Sequence, residues 1–356
     1  MSEYFCAVAE KWAAGGRRAG AARVRRVGSP EGTAPLEPLD ELLTVLDLRH
    51  LGEAHVRVDG VKGDEESDLG ESVADVFVGE SQKMPHGRVF GGQVLAQAVM
   101  AAGRTVAQVG EDGPRPIHSL HGYFVRPGDD DHPIRFAVDQ IRDGRSFSTR
   151  RVQAIQYGQP ILSMIASFQE PAGGLDHQDS MPAAPDPDVL APEDLVDLDG
   201  VIPREFLRRR PVDLRHVEGP INVTPGRQLA ARQSVWLRTI GPLPDDPLLH
   251  AAVLAYASDY ALLEPVIRRH GLAWSDPRLR PASLDHAMWF HRPARADEWI
   301  LYTQSSPSAQ GGRGLAFGRM FAADGRLVAS AAQEGMLRIK SGHGATERRP
   351  GAPKES

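Results

Sequence analysis

Three polar residues in the last third of the sequence give its sharpest chemical signal: Asp259, Ser283 and Gln333. Asp259 falls in an apolar helical stretch, with Ala255, Tyr256, Leu262 and Leu263 as its i−4, i−3, i+3 and i+4 neighbours. At those spacings its carboxylate lies on the helix stripe that should face a sheet. An acid taken out of water must gain hydrogen-bond donors or hold on to its proton. The hydroxyl of Ser283 and the amide of Gln333, on two different expected strands, are candidate donors. An acid held in this way is a candidate for a functional site. The same acid could instead be structural, capping backbone or pairing with an arginine.

The elements that must position these residues follow from periodicity and turn chemistry. Leu39, Leu42, Leu43, Leu46 and Leu48 are spaced as a short amphipathic helix. After a strand at Val73 to Val78 come Phe90-Gly91-Gly92 and a helix of small residues from Gln93 to about Ala102, with Gly103 as its stop. Strands follow at Ile117 to Val125, Ile134 to Ile141, Ser146 to Tyr157 and Ile161 to Phe168. Arg126-Pro127-Gly128, Asp143-Gly144 and Tyr157-Gly158-Gln159-Pro160 supply the turns between them. Glu170 to Pro211 is crowded with Pro and Asp and has no period, so it reads as a linker or an outside crossing of the fold.

The pattern then begins again. Leu229 to Ile240 reads as a strand, Asp246-Pro247 as an N-cap and first helical residue, and His250 to Leu263 as a helix ending near Pro265. Strands resume at Ser283 to Arg292, Trp299 to Ser305, Gly314 to Ala322 and Leu327 to Ile339, with Asp324-Gly325 as the last hairpin turn. The expected fold class is α+β, with one unit over 39–170, a linker over 171–211 and a second unit over 212–340. Residues 1–38, rich in Ala, Gly and Arg, are expected to be a disordered leader, and 341–356 a disordered tail. The leader reads as an overlong start or flexible tail, with a transit peptide as the alternative.

The two units share anchors. His118-Ser119-Leu120-His121 parallels Ala282-Ser283-Leu284-Asp285, and Ala166-Ser167-Phe168-Gln169-Glu170 parallels Ser330-Ala331-Ala332-Gln333-Glu334. Ser119 to Gln169 and Ser283 to Gln333 are both 50 positions apart, which points to duplication. The helix of the first unit, from Gly92 to Val109, has no carboxylate. An acid present in one copy alone favours a specialised site in the second unit, with the first as scaffold. Each sheet wrapping its own helix, with the two sheets side by side, would remove exposed edge. Two separate sandwiches fit the same pattern.

Composition narrows the classes. The 356-residue chain has a formal net charge of −6, which gives no basic footprint for nucleic acid. Its one cysteine, Cys6, excludes an intramolecular disulfide framework and argues for a reducing compartment. Ser258 and Asp259 interrupt the best apolar run before it reaches the roughly 18 residues of a membrane span. Gly-x-Ser-x-Gly, Gly-x-x-x-x-Gly-Lys, His-Glu-x-x-His and Cys-x-x-Cys do not occur. His118/His121 and His286/His291 lack a third ligand and read as structural or surface residues, so no metal is expected.

Taken in order, Phe90-Gly91-Gly92-Gln93, Arg142-Asp143-Gly144-Arg145-Ser146-Phe147 with Arg150-Arg151-Val152, Ala255-Tyr256-Ala257-Ser258-Asp259, the run Leu284 to Pro293, and Gln333-Glu334-Gly335 resemble the acyl-coenzyme A thioesterase II family. The resemblance spans about Leu39 to Ile339. It implies a double hotdog, two fused units each with an antiparallel sheet wrapped around a central helix. It further implies hydrolysis of fatty acyl-coenzyme A without a cofactor, by a homo-oligomer (dimer or tetramer). The family's catalytic acid, hydroxyl and amide fall on Asp259, Ser283 and Gln333. The ending Lys354-Glu355-Ser356 differs from a Ser-Lys-Leu peroxisomal address, so the cytoplasm is the expected location. A hotdog hydratase, a carrier-protein thioesterase and a non-catalytic acyl-coenzyme A sensor remain as alternatives. Asp285 and His286, adjacent on a strand, should face opposite sides and not form a hydratase pair.

Overall fold

Fully buried residues alternate with less buried ones along Phe147–Gln156 and Val212–His216, the signature of strands with one face on a core. The computed structural model describes residues 37–57, 71–85, 87–107, 109, 113–192 and 210–340. The expected leader up to residue 36, the tail over 341–356 and the Lys354-Glu355-Ser356 ending lie outside them. The first described element is helix α1 (Pro38–Leu46), where proline sits at the helix start and its missing N–H costs nothing.

The first half then runs β1 (Arg49–Arg57), β2 (Glu71–Gly79), α2 (Gly91–Arg104), β3 (Ile117–Phe124), β4 (Ile134–Asp143), β5 (Phe147–Gln156) and β6 (Gln159–Gln169). The second runs β7 (Val212–His216), β8 (Arg232–Thr239), α3 (Pro247–Ser258), α4 (Glu264–Arg269), β9 (Leu279–Ser283), β10 (Asp285–Phe290), β11 (Ile300–Gln310), β12 (Arg313–Ala322) and β13 (Leu327–Ile339). β1 and β7 are the edge strands, and the apolar period does not announce β1. The described side chains of β1, at 49–54, are mostly exposed, and the strand carries a bulge at Leu51 beside Gly52, whose φ of 104° suits glycine.

Among the described residues these strands form one 13-stranded sheet, ordered β1-β2-β4-β5-β6-β3-β10-β13-β12-β11-β8-β7, with β9 also paired to β13. The order reads the same from either edge: β3 matches β10, β6 matches β13 and β5 matches β12. Two copies of one meander therefore meet at β3 and β10, where Gly122 lies opposite His286 and Leu120 opposite Met288. One continuous sheet replaces the alternative of two separate sandwiches.

The two central helices pack against one another rather than each on its own sheet alone. A Cβ on Gly92 would lie 2.3 Å from the Tyr256 carbonyl oxygen, and one on Gly103 would lie 2.3 Å from Leu248 Cδ1. Gly103 therefore lies inside α2, which runs on to Arg104, and serves helix contact rather than helix termination. Two glutamines of α2, Gln93 and Gln97, are fully buried. They are satisfied by backbone ahead of the helix, with Gln93 Oε1 accepting from Gln82 N–H at 3.0 Å and Gln97 Nε2 donating to Val45 O at 2.8 Å. These bonds fix where α2 begins.

The described part of the expected linker is an outside crossing. Gln178 donates to Gly325 O at 2.8 Å, Trp236 Nε1 donates to Pro185 O at 2.9 Å, and Met181, Ala184 and Leu190 pack on Trp236, Leu301 and Phe321. No helix among the described residues is long and apolar enough to cross a membrane.

Candidate active site

Helix α3 starts as its sequence demands: Asp246 Oδ1 accepts from Leu248 N–H at 2.9 Å, and Pro247 takes the first helical turn. Its end differs from the expectation of a helix to Leu263. α3 stops at Ser258, whose carbonyl accepts from the Tyr302 hydroxyl at 3.3 Å, and Pro265 opens α4 instead. Asp259 is thus the C-cap residue, with φ −84° and ψ −13°, and its carboxylate faces the sheet strands β9 and β13 as expected.

The three sequence-predicted residues meet there. Gln333 Nε2 donates to Asp259 Oδ1 at 2.9 Å and to Ser283 Oγ at 2.7 Å, and Ser283 Oγ lies 3.4 Å from Asp259 Oδ1. Strand pairing explains the convergence. β9 and β10 both run along β13, with Ser283 opposite Gly335 and Ala287 opposite Ala332, so Gln333 is flanked by the end of one short strand and the start of the next.

The site also draws on the first half of the chain. Gly92 N–H, at the start of α2, lies close enough to the Asp259 carboxylate to favour its ionised form. A Cβ on Gly91 would come 2.7 Å from Asp259 Oδ2, so the carboxylate approaches backbone that only glycine leaves open. The positive end of the α2 dipole favours an anion at this place. The polar site is therefore complete only where the halves meet, rather than within the second half alone.

Burial pushes the Asp259 carboxyl up to about 6, while the Gln333 amide, the Gly92 N–H and the Ser283 hydroxyl pull it back toward the ionised form. A carboxylate poised near neutrality is a better proton acceptor than an exposed one. His286 is fully buried; burial lowers its pKa to about 4, which leaves it neutral. Its Nδ1 lies 3.0 Å from Gln333 Oε1 and its Nε2 lies 2.9 Å from Ser258 Oγ. Asp285 faces away and accepts from Glu334 N–H at 2.7 Å, so the two neighbours do not converge.

Ser119 and Gln169 do not repeat this arrangement. Ser119 lies opposite Ser167 in the β3–β6 pairing, and Gln169 N–H donates to Pro116 O at the strand's end. Equal spacing along the chain is lost in the sheet because β9 and β10 divide the β13 partner that β3 provides alone in the first half. At the end of α2, the place matching Asp259 is taken by Thr105. Its hydroxyl accepts from Nε of the buried Arg150 at 2.7 Å, and Arg150 also bonds Asp143 at 2.9 Å. A threonine bonded to a buried, satisfied arginine thus stands where the other half has an acid.

Periodicity missed His286 and Gly92. The strand alternation that separates Asp285 from His286 also turns His286 inward, and Phe90-Gly91-Gly92 preceding a helix is a signal for a backbone site. Arg88, Arg126 and Arg313 are all exposed, and Arg313 is paired to Glu334 at 3.0 Å.

A sheet wrapped on a helix, present twice in one chain with a polar site where the halves meet, defines a double-hotdog protein. Known proteins match that description. A family described as acyl-CoA thioesterase matches residues 205–336, and one described as acyl-CoA thioesterase N-terminal domain matches residues 80–169. Acyl-CoA thioesterase 2 of Haemophilus influenzae is 37% identical over 277 residues, covering 74% of this chain and 92% of that protein. Human acyl-coenzyme A thioesterase 8 is 39% identical over 285 residues, covering 75% of this chain and 85% of that protein. The crystal structure of acyl-CoA thioesterase II TesB2 from Mycobacterium marinum aligns with a TM-score of 0.64 at 42% identity, covering 85% of this chain and all (100%) of that one. The chain belongs to the acyl-CoA thioesterase family.

Proposed function

We propose that this protein hydrolyses fatty acyl-coenzyme A to a free fatty acid and coenzyme A, with Asp259 as general base. The observation that supports this most is the convergence of Gln333, Ser283 and Gly92 N–H on one carboxylate whose pKa is raised to about 6. Ionised Asp259 accepts a proton from a water molecule held with Ser283 and Gln333, and the water oxygen bonds to the thioester carbonyl carbon. The carbonyl electrons move to its oxygen, where the N-terminal end of α2 favours the negative charge. Collapse of this intermediate breaks the carbon–sulfur bond. The acid product keeps the water oxygen, and the leaving thiolate takes the proton that Asp259 accepted, which gives coenzyme A and returns Asp259 to its ionised form. Each group acts through its own lone pairs or N–H, so the scheme uses no cofactor.

The protein acts as a homo-oligomer, a dimer or tetramer, in this reading. Exposed Tyr123, Ile165, Trp289 and Phe317 on the outer face of β3, β6, β10 and β12 support a partner there. A cytoplasmic setting fits a sequence with one cysteine. Purified protein incubated with palmitoyl-coenzyme A and a thiol reagent is expected to release thiol well above background. Tight binding without release would instead make it an acyl-coenzyme A sensor.

A further inference from the structure

The Gln333 side-chain amide is nearly symmetric in shape, yet its two ends meet opposite needs. One end lies 2.9 Å from Asp259 Oδ1 and 2.7 Å from Ser283 Oγ; the other lies 3.0 Å from His286 Nδ1. With the NH2 toward Asp259, both amide hydrogens are used on the carboxylate and the hydroxyl. With the amide turned over, its oxygen would press against an ionised carboxylate. Shape alone does not choose between the two.

We propose that His286, oriented by Ser258, is a positioning residue that fixes the Gln333 amide with its NH2 toward Asp259 and Ser283. This inference rests on the reading of Asp259 as general base.

A neutral imidazole carries one N–H, and which nitrogen bears it decides the direction of the whole chain. The Ser258 hydroxyl has one proton and two acceptors in reach, Ala255 O at 2.8 Å and His286 Nε2 at 2.9 Å. When Ser258 donates to Nε2, the ring proton sits on Nδ1 and donates to Gln333 Oε1, leaving the amide NH2 for Asp259. When Ser258 donates to Ala255 O, Nε2 must carry the ring proton, Nδ1 becomes an acceptor and the amide must turn over. Ionised Asp259 accepts only the first arrangement. Ser258 and His286 are both fully buried, so no solvent competes for these groups. The buried imidazole stays neutral near pH 7, and so passes on an orientation rather than a charge.

The test compares kcat, KM, the pH profile of kcat/KM and thermal melting for His286→Leu, His286→Asn and Ser258→Ala, with Asp259→Asn alongside. His286→Leu should lower kcat about tenfold or more, with KM held within about threefold, and move the acid limb to higher pH as Asp259 loses an oriented donor. His286→Asn places an amide N–H where Nδ1–H stood and should restore kcat to within about threefold of wild type. Ser258→Ala should fall between, because the ring can then adopt either tautomer. A folded His286→Leu protein with wild-type kcat and acid limb would overturn the proposal, as would His286→Asn impaired as deeply as His286→Leu. If His286→Leu does not fold, Ser258→Ala decides: a lowered kcat with a shifted limb supports the proposal, and wild-type values overturn it. Retained turnover in Asp259→Asn would show instead that the underlying reading of Asp259 fails, whatever the His286 variants do.

Discussion

Asp259→Asn is expected to lower kcat for palmitoyl-coenzyme A by about 100-fold or more while leaving the circular dichroism unchanged. The amide keeps an oxygen that can accept from Gln333 Nε2, now 2.9 Å from Asp259 Oδ1, but it has no basic lone pair to take a proton from water. The same substitution should alter how stability depends on pH. The Asp259 pKa is raised to about 6 in the folded protein, above its usual value of about 3.9 in an unfolded chain, so the folded state holds this proton more tightly. Its contribution to stability is full below the unfolded value and is lost as pH rises through about 6. The asparagine variant lacks this dependence, and should melt higher than wild type at pH 8 once other titrations are matched between the two. Wild-type kinetics in a correctly folded asparagine variant would end the assignment of Asp259.

The second large effect belongs to Gly92→Ala. The new methyl would sit 2.3 Å from the Tyr256 carbonyl oxygen and 2.5 Å from Phe90 Cε1. Backbone cannot rotate away as a side chain can, so α2 and α3 must move apart. Overpacking of this kind costs roughly 1–3 kcal/mol or more. It would also draw the Gly92 N–H off the Asp259 carboxylate, so kcat/KM should fall together with stability. Gly103→Ala is the matched control, because its methyl meets the flexible end of Leu248, which can change rotamer. The expected result is a melting temperature lowered by about 5 °C or more for Gly92→Ala and by clearly less for Gly103→Ala. Equal melting temperatures for wild type and both variants would contradict the close helix contact.

The comparison of these glycines shows where sequence reasoning stops. A glycine at the end of a helical pattern reads as a stop, as Gly103 does, because a sequence does not display the neighbouring helix that needs the space. The same blindness applies to Asp259. Its position among apolar neighbours is visible as a conflict, but not that the helix ends one residue before it and aims the carboxylate at the start of α2. Strand positions were readable where alternation was strong, as in β5, and unreadable in β1, an edge strand with little apolar content. Ser283 and Gln333 could be paired with Asp259 from residue chemistry, whereas equating them with Ser119 and Gln169 required a register that the sheet does not keep. His286 reads in the sequence as structural or surface because a lone inward histidine has many structural uses, and its meaning appears only beside Gln333 and Ser258.

The pH profile of kcat/KM for a long-chain acyl-coenzyme A, followed by loss of thioester absorbance between about pH 4.5 and 8.5, tests the role of Asp259 most directly. A single ionisation should govern the acid side, with activity rising through an apparent pKa of about 6 and levelling above it. An acid limb at the ordinary aspartate value of about 4, or a profile without one, would mean that the ionised Asp259 carboxylate is not what activates the water.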